Sequence, residues 1–185
     1  MAVRGDQTAL AAAAQRARPV VLAREHVLPV HDALAPLLPD AGLRRGTVVA
    51  VGGSAATSLA LTLAAAPSAT GSWVGAVGMP SLGLLAASEL GVALERLLLV
   101  AAPPPAEWPT VVATLIDGVD VVLIRLPRSV RTGDARRLQA RARQRGAVLV
   151  VVGPSGTLEP DVALAVDDEE WVGLERGAGH LQGRR

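Results

Sequence analysis

The chain has 185 residues, half of them hydrophobic, and a net charge of +1, which suits one domain with a packed core. The absence of cysteine excludes disulfides, thiolate catalysis and cysteine-ligated zinc or iron–sulfur sites. With no Phe, no Tyr and three Trp, the chain also has little capacity to stack aromatic rings on nucleic-acid bases.

The small net charge conceals two oppositely charged segments. Residues 125–145 contain eight arginines and one acid, whereas residues 159–175 contain seven acids and no base. This asymmetry predicts electrostatic partners, or partial neutralisation of one segment by the other in the folded chain. No secretory signal pattern begins the chain and no apolar run is long enough to span a bilayer. We therefore expect a soluble cytoplasmic protein without membrane contact.

The first 39 residues are predicted to form short elements that precede the main domain. An alanine-rich helix is expected over 7–17, a short strand over 19–23, and a short helix over 30–38 that Pro36 breaks and Pro39 ends.

From residue 40 to residue 185 the pattern becomes a regular alternation. Strands are predicted over 47–51, 72–77, 97–100, 120–124 and 147–152, with helices over 57–66, 81–90, 107–116 and 134–145. Ser81 and Asp134 are the expected N-caps, and Gly91 and Gly146 the expected stops. Nearly continuous apolar strands between amphipathic helices predict an α/β fold with a mainly parallel sheet covered on both faces. Two later runs, 162–166 and 171–175, are expected to form a hairpin that adds antiparallel strands to the sheet edge.

The first strand and helix of this alternation flank a sequence that has the order of a phosphate-binding loop but lacks its chemistry. In the working motif, G-x-x-x-x-G-K-[ST], backbone N–H groups surround the phosphates, the Lys neutralises their charge and the hydroxyl holds Mg²⁺. With Gly52 as the first glycine, Thr57 stands at the second glycine and Ser58 at the lysine. Because the chain contains no Lys at all, no register restores the motif. The segment that includes Gly52, Gly53, Thr57 and Ser58 is thus either a structural turn or a weak anion site made of helix N–H groups.

The order of the elements resembles the RecA recombinase core over roughly residues 40–180. The likeness is carried by Gly42-Leu-Arg-Arg-Gly46, the loop at Gly52, Leu90-Gly-Val-Ala-Leu-Glu-Arg-Leu-Leu-Leu99, Gly118-Val-Asp-Val-Val-Leu-Ile124 and Gly146-Ala-Val-Leu-Val-Val-Val152. The resemblance implies a three-layer RecA-like core. It also places Pro80 near the catalytic Glu position and Arg125 at the Walker B Asp, and it shortens both DNA-binding loops. We therefore expect no catalytic residue, no cofactor and no metal ion.

Among RecA-like proteins without ATPase residues, the chain is similar to the ImuA (ImuA′) family. The likeness rests on size, the degenerate loop, the arginine-rich helix and the ending Trp171-Val-Gly-Leu-Glu-Arg-Gly-Ala-Gly-His-Leu-Gln-Gly-Arg-Arg185. The resemblance implies a non-catalytic adaptor in SOS-induced mutagenic translesion DNA synthesis. Its expected partner is the C-terminal region of ImuB, an inactive Y-family polymerase homologue, and through it an error-prone C-family polymerase and the sliding clamp.

Candidate contacts to a partner or to phosphate lie on the last predicted helix and at Trp108. The arginines are Arg136, Arg137, Arg141, Arg143 and Arg145. Ala135, Leu138 and Ala142 supply the apolar stripe, so the arginines are expected to point outward. A solvated helix face is the alternative for the arginines, core packing is the alternative for Trp108, and direct DNA contact stays open.

Two other functions are compatible with the sequence. One is a SulA-like cell-division inhibitor, which also uses a RecA-like core without a phosphate loop and binds a tubulin-like partner. The other is a weak ATP-dependent recombination mediator, which equilibrium nucleotide binding would distinguish from both protein-binding functions.

Overall fold

The computed structural model describes residues 26–128, 130–168, 171–175 and 178–184, with only the strand backbone described in the last two ranges. The helix and strand predicted over 7–17 and 19–23 lie outside the described residues. At the start, strand β1 (Val27–Leu28) pairs antiparallel with β2 (Leu43–Arg44). Of the helix predicted over 30–38, only a 3₁₀ turn at Ala35–Leu37 forms, with Pro36 inside it.

A six-stranded sheet forms the centre of the fold. Its strands are β3 (Val48–Gly53), β4 (Val74–Val77), β5 (Leu97–Val100), β6 (Val121–Ile124), β7 (Val148–Val152) and β8 (Val162–Val166). They lie in the order β5-β4-β6-β7-β3-β8, and each neighbouring pair is parallel. Strands β4, β6 and β7 are buried along their whole length, as uncharged, mainly β-branched runs are when both faces of a parallel sheet are covered. The predicted mainly parallel α/β sheet is confirmed.

Four helices cover the two faces of the sheet. They are α1 (Ala56–Ala69), α2 (Leu84–Glu89), α3 (Trp108–Gly118) and α4 (Thr132–Arg145). The buried alanines and leucines of α1 and Ala87 of α2 pack with one set of strand side chains, including Val49 and Val74. The buried residues of α3 and α4 pack with the opposite set, including Val48 and Val122. The core therefore lies in two layers, one on each side of the sheet.

Two aspartates fix the amino edge of the sheet, where backbone N–H groups begin the strands. Asp161 Oδ2 accepts a hydrogen bond from the Val48 N–H at 2.8 Å, and Asp120 Oδ2 accepts one from the Trp73 N–H at 2.9 Å. Asp120 also forms an ion pair with Arg45 at 2.8 Å. These carboxylates satisfy backbone donors that the sheet ladder leaves open.

The two glycine stops were predicted correctly, whereas the two predicted N-caps were wrong. Gly91 and Gly146 both have positive φ, 91° and 73°, so each ends its helix in the left-handed conformation that glycine adopts without strain. Helix α2 begins at Leu84 after Gly83, so Ser81 is not its cap. Helix α4 begins at Thr132 after Arg131, which leaves Asp134 in the first turn instead of at the cap. An acidic side chain is favourable at either position, because both positions lie at the positive end of the helix dipole.

The predicted hairpin between residues 162–166 and 171–175 is wrong. Strand β8 pairs in parallel with β3, and β9 (Trp171–Glu175) pairs antiparallel with β10 (Ala178–Arg184) in a separate two-stranded sheet. The connection over residues 153–161 returns the chain to the amino edge, where Asp161 accepts the Val48 N–H. Strand β8 consequently starts beside β3 and runs in the same direction.

Candidate functional site

The position of the expected phosphate loop is a tight turn at the carboxyl edge of the sheet, the edge at which α/β proteins bind ligands. Strand β3 ends at Gly53 and α1 begins at Ala56, so only Ser54 and Ala55 lie between them. A working phosphate loop is longer, because its backbone must surround the phosphates with N–H groups. This turn cannot do so.

Strand β8 explains why the turn is tight. The pairing of β3 with β8 continues to the end of β3, where Gly53 lies opposite Val166. Gly53 has a φ of 83°, and a Cβ added to it would lie 2.1 Å from the Val166 carbonyl oxygen. At Gly52, by contrast, the nearest atom to an added Cβ is 3.9 Å away. Gly53 is thus required by the neighbouring strand, and the glycine pair needs no ligand to account for it.

Arg125 occupies the space beside this turn. It follows β6 directly, and its Nη2 donates a hydrogen bond to Thr57 Oγ1, the hydroxyl of the second residue of α1, at 3.3 Å. A guanidinium next to the positive end of a helix dipole disfavours a divalent metal ion. The structure therefore brings together two positions that the sequence singled out, Thr57 and Arg125, in an arrangement opposite in charge to a Mg²⁺ site.

Ser58, which stands where the lysine of the motif would be, lies inside α1. Its carbonyl oxygen accepts the Thr62 hydroxyl at 2.9 Å, a bond within the helix. Among the described residues no three His, Asp or Glu side chains come together as metal ligands would.

The arginines on α4 do point outward, around a buried stripe that contains the predicted Ala135, Leu138 and Ala142 together with Gln139. Arg141 and Arg145 both bind Asp117 near the end of α3, Arg145 with Nε 3.0 Å from Oδ1 and Arg141 through Nε at 2.8 Å and Nη2. The hydrogen bond from Arg141 is the main cause that lowers the pKa of Asp117 to about 2.

Two further arginines of α4 also have an acid close by. Arg137 lies 3.5 Å from Asp134, and Arg143 lies 3.9 Å from Asp161. Only the Arg143–Asp161 pair joins the basic segment to the acidic one, so within the described residues the expected mutual neutralisation is limited. Arg136 alone of the five forms no ion pair with a described residue. Asp117 was missed as a counter-charge because it lies outside both charged segments and meets α4 only when the helices pack.

Arginines without an ion pair to a described residue lie instead at the carboxyl edge, in the loop between β6 and α4. Arg125, Arg128 and Arg131, which we call the carboxyl-edge arginines, are exposed, and none is in an ion pair with a residue that the structure describes. The basic run in the sequence indicated positive charge but could not show which part of it the fold leaves uncompensated.

Trp108 is the first residue of α3 and is only 2% exposed. It packs in the same core layer as Val77 and Leu138, and its Nε1 has no hydrogen-bond partner among the described residues. In this structure Trp108 is therefore a core residue, and its ring is not presented to a partner at the surface.

Comparison with known proteins decides the family. Residues 36–157 match the model of the family described as the MT3502 N-terminal domain, a span that contains β2 to β7 and all four helices. The chain belongs to this family.

One relative of this MT3502-family chain is the uncharacterized protein Rv3395c of Mycobacterium tuberculosis, 44% identical over 108 residues. The match covers 57% of this chain and 51% of the relative, so the chain spans about half the length of that protein. Among solved structures, SulA from Pseudomonas aeruginosa superposes with a TM-score of 0.47 and 19% identity, covering 58% of this chain and 97% of SulA.

The resemblance to the ImuA family is overturned by these findings. The family that matches is the MT3502 N-terminal domain family, and the relative is described only as an uncharacterized protein, so neither finding indicates ImuA. The ending from Trp171 onward, the most specific string in the ImuA likeness, lies beyond the matched residues. An ending rich in Gly and Arg is weak support for one family when residues 36–157 match the model of another.

The MT3502-family chain also has a feature that the sequence analysis missed, an uncovered apolar surface along β5 and the segment before it. Its members are Leu84, Leu85, Leu90, Leu94, Leu98 and Leu99, which we call the leucine edge. The three consecutive leucines at 97–99 were a signal for it, because a strand without a polar residue needs cover on both faces. None of the helices among the described residues has the length and apolarity that crossing a bilayer requires.

Proposed function

We propose that this chain is a non-catalytic binding protein, built on a RecA-like core in which its own residues close the former nucleotide position. The observation that carries the proposal is the two-residue turn between β3 and α1, with the Arg125 guanidinium on the Thr57 hydroxyl. Phosphoryl transfer needs a cation at the β/γ-phosphates, a hydroxyl and an acid for Mg²⁺, and a positioned nucleophile. At this position the chain supplies an arginine in place of the acid and has no lysine anywhere.

Nucleotide binding tests this proposal directly. Titration calorimetry with Mg-ATP at physiological concentrations should give no saturable heat, and phosphate release should equal that of the buffer. A working P-loop ATPase in the same buffer is the positive control. The Arg125→Ala variant should also fail to bind, because opening the turn restores neither the lysine nor the loop length. Saturable ATP binding by the unaltered chain would contradict the proposal.

The carboxyl-edge arginines are the surface that we assign to a protein partner with an acidic contact region. Their charge is uncompensated within the described residues, whereas four of the five arginines on α4 already have an acid within 4.0 Å. Such a contact weakens with rising salt, since exposed charges are screened over about 10 Å at 0.1 M ionic strength. The proposal therefore places the partner at the loop between β6 and α4.

Two double variants distinguish binding through the carboxyl-edge arginines from binding that depends on the overall positive charge. Arg128→Gln with Arg131→Gln removes two uncompensated charges, and Arg137→Gln with Arg143→Gln removes two that an acid already partly neutralises. Partners captured from cells by the unaltered chain should be lost in the first variant and retained in the second. Equal loss in both would assign binding to overall charge and contradict the assignment to the loop.

A SulA-like inhibitor of cell division is the second candidate function, because that role also needs a core without a nucleotide site and an exposed protein-binding surface. Capture from cells treated with a DNA-damaging agent, followed by identification of the bound protein, distinguishes the candidates. A tubulin-like division protein supports this function, and a Y-family polymerase homologue supports a role in translesion synthesis.

A further inference from the structure

The leucine edge contains six of the eight large apolar side chains that are exposed among the described residues. Strand β5 is the terminal strand of the sheet, and among the described strands it pairs with β4 only. Single exposed leucines are ordinary, but six of them on and shortly before a terminal strand indicate an interaction site.

Each face of β5 is only partly covered, and each presents a half-exposed leucine. Leu99 pairs with Ala76, whose layer contains α1 and α2, and is 49% exposed. Leu98 pairs with Gly75, which packs against Leu115 of α3 on the other face, and is 41% exposed. A helix laid on one face would leave one of these leucines in water. A further strand beside β5, with its own covering layers, would bury both.

Strand β5 lacks the charges and prolines that discourage edge-to-edge pairing. It has no charged residue from Leu97 to Ala106, and no proline before Pro103. Glu95 and Arg96 directly precede it, and Arg96 donates a hydrogen bond to the Gly71 carbonyl oxygen and lies over the Trp73 ring. An unprotected apolar edge of this kind indicates that another strand covers it.

We propose that the strand covering β5 is β5 of a second copy of this chain, paired antiparallel about a two-fold axis. Strand β5 itself is uncharged, so β5 of a second copy brings no like charge against it and offers the same apolar side chains, as an isologous interface requires. The exposed surface of the six leucines equals that of about three fully exposed leucines in each copy. The two-fold axis doubles the apolar area that the interface can bury.

Strand geometry restricts the position of the axis. Residues opposite each other in an antiparallel pair share a face, so a two-fold axis perpendicular to the sheet must pass beside one residue and its own copy. With the axis at Leu99, that residue meets Leu99 of the second copy on the face that carries α2. Leu98 then meets Val100 of the second copy on the face that carries α3. This register places both α2 helices on one side, where Leu84 and Leu85 are exposed.

The inference is independent of the proposed function, because β5 and the turn after β3 lie at different places in the sheet. A chain that binds ATP could still dimerise through β5, and a chain without nucleotide binding could still be a monomer. The two proposals can therefore fail separately.

The mass in solution tests the interface. Light scattering on the full chain at micromolar concentration should give twice the monomer mass of 18.9 kDa. Leu99→Arg should give the monomer, because it buries a charge opposite its own copy. Leu37→Arg is the matched control, since Leu37 is also exposed but lies away from β5 in the 3₁₀ turn, and it should remain a dimer. Far-UV circular dichroism confirms that each variant is folded.

Cross-linking tests the register, because the chain contains no cysteine of its own. Opposite Cβ atoms in an antiparallel pair lie about 4.5–5.5 Å apart, close enough for a disulfide after a small adjustment. Mild oxidation of Leu99→Cys should give a covalent dimer and Leu37→Cys should not. The proposal is overturned by a monomer at these concentrations, by a dimer that Leu99→Arg leaves intact, or by cross-linking at Leu98→Cys in place of Leu99→Cys.

Discussion

At the scale of a single residue, Gly53 allows β8 to pair with β3 as far as the tight turn that follows it. Its positive φ and the nearness of the Val166 carbonyl leave no room for a side chain, so β8 holds the end of β3 where a phosphate loop would have to open. Arg125 then contacts Thr57 at the start of α1. The lack of a Cβ at Gly53 and the guanidinium of Arg125 together account for the closed turn after β3.

Substitution of Gly53 tests this account. Gly53→Ala should lower the free energy of unfolding by about 2 kcal/mol or more, because the backbone strain of about 1–3 kcal/mol adds to a clash with Val166. Gly52→Ala is the control. Its added Cβ meets nothing closer than 3.9 Å, so its effect should stay within about 1 kcal/mol. Urea unfolding at neutral pH measures both, and equal effects would mean that β8 does not restrict Gly53.

The lowered pKa of Asp117 predicts that the free energy of unfolding depends on pH. Its pKa is lowered from 3.8 to about 2 by the arginines, chiefly by the hydrogen bond from Arg141. Because the folded-state value lies below the unfolded one, the stabilisation is present above pH 4 and is lost as the pH falls towards 2. Asp117→Asn should therefore be less stable than the unaltered chain at pH 7, and the difference should shrink as the pH falls from 4 through 2. A difference that stays constant between pH 4 and pH 2 would contradict this role.

At the scale of elements, the core of the fold was predictable and its edges were not. The strand at 97–100 and the helix ends at Gly91 and Gly146 follow from apolar runs and from the left-handed conformation that glycine tolerates. The pairing of 162–166 depended on where the preceding loop returns, which no local pattern specifies. Ser81 and Asp134 have good capping chemistry, yet the helices begin at Leu84 and Thr132.

The aspartates at the amino edge hold strand β3 in place, and Asp161 is the clearer case. Asp161→Ala removes the acceptor of the Val48 N–H and should cost about 1–2 kcal/mol of stability, the range for a hydrogen bond to a charged group that is partly exposed. Asp40→Ala removes an exposed ion pair with Arg44 and should cost less than about 1 kcal/mol. Guanidinium chloride unfolding compares the two variants. An equal cost would show that Asp161 does not anchor the strand.

For the whole molecule, the closed turn, the uncompensated arginines and the leucine edge lie at different places around one sheet. The turn and the carboxyl-edge arginines lie at the carboxyl ends of the strands, and the leucine edge lies beside the terminal strand. This arrangement leaves the carboxyl edge open to a partner while a second copy covers β5. A dimer formed in this way would present two copies of the arginine surface.

Dimerisation through β5 should make thermal stability depend on protein concentration. Mass action favours the folded dimer as concentration rises, so the Tm of the unaltered chain should increase between micromolar and hundred-micromolar samples. Leu99→Arg should show a lower Tm that does not change with concentration, and Leu37→Arg should follow the unaltered chain. Scanning calorimetry measures this dependence, and a Tm of the unaltered chain that does not change with concentration would argue against the dimer.

The sequence by itself determined the alternation of strands and helices, the parallel sheet and the loss of phosphate-loop chemistry. These depend on local properties: the period of the apolar residues, the glycine stops and the absence of lysine. Only the tertiary structure decided that β8 closes the turn, that Asp117 neutralises Arg141 and Arg145, and that six leucines stay uncovered. Each of these depends on contacts between residues that are distant in the chain. Such contacts form only when the strands have paired in their final order and the helices have packed on the sheet.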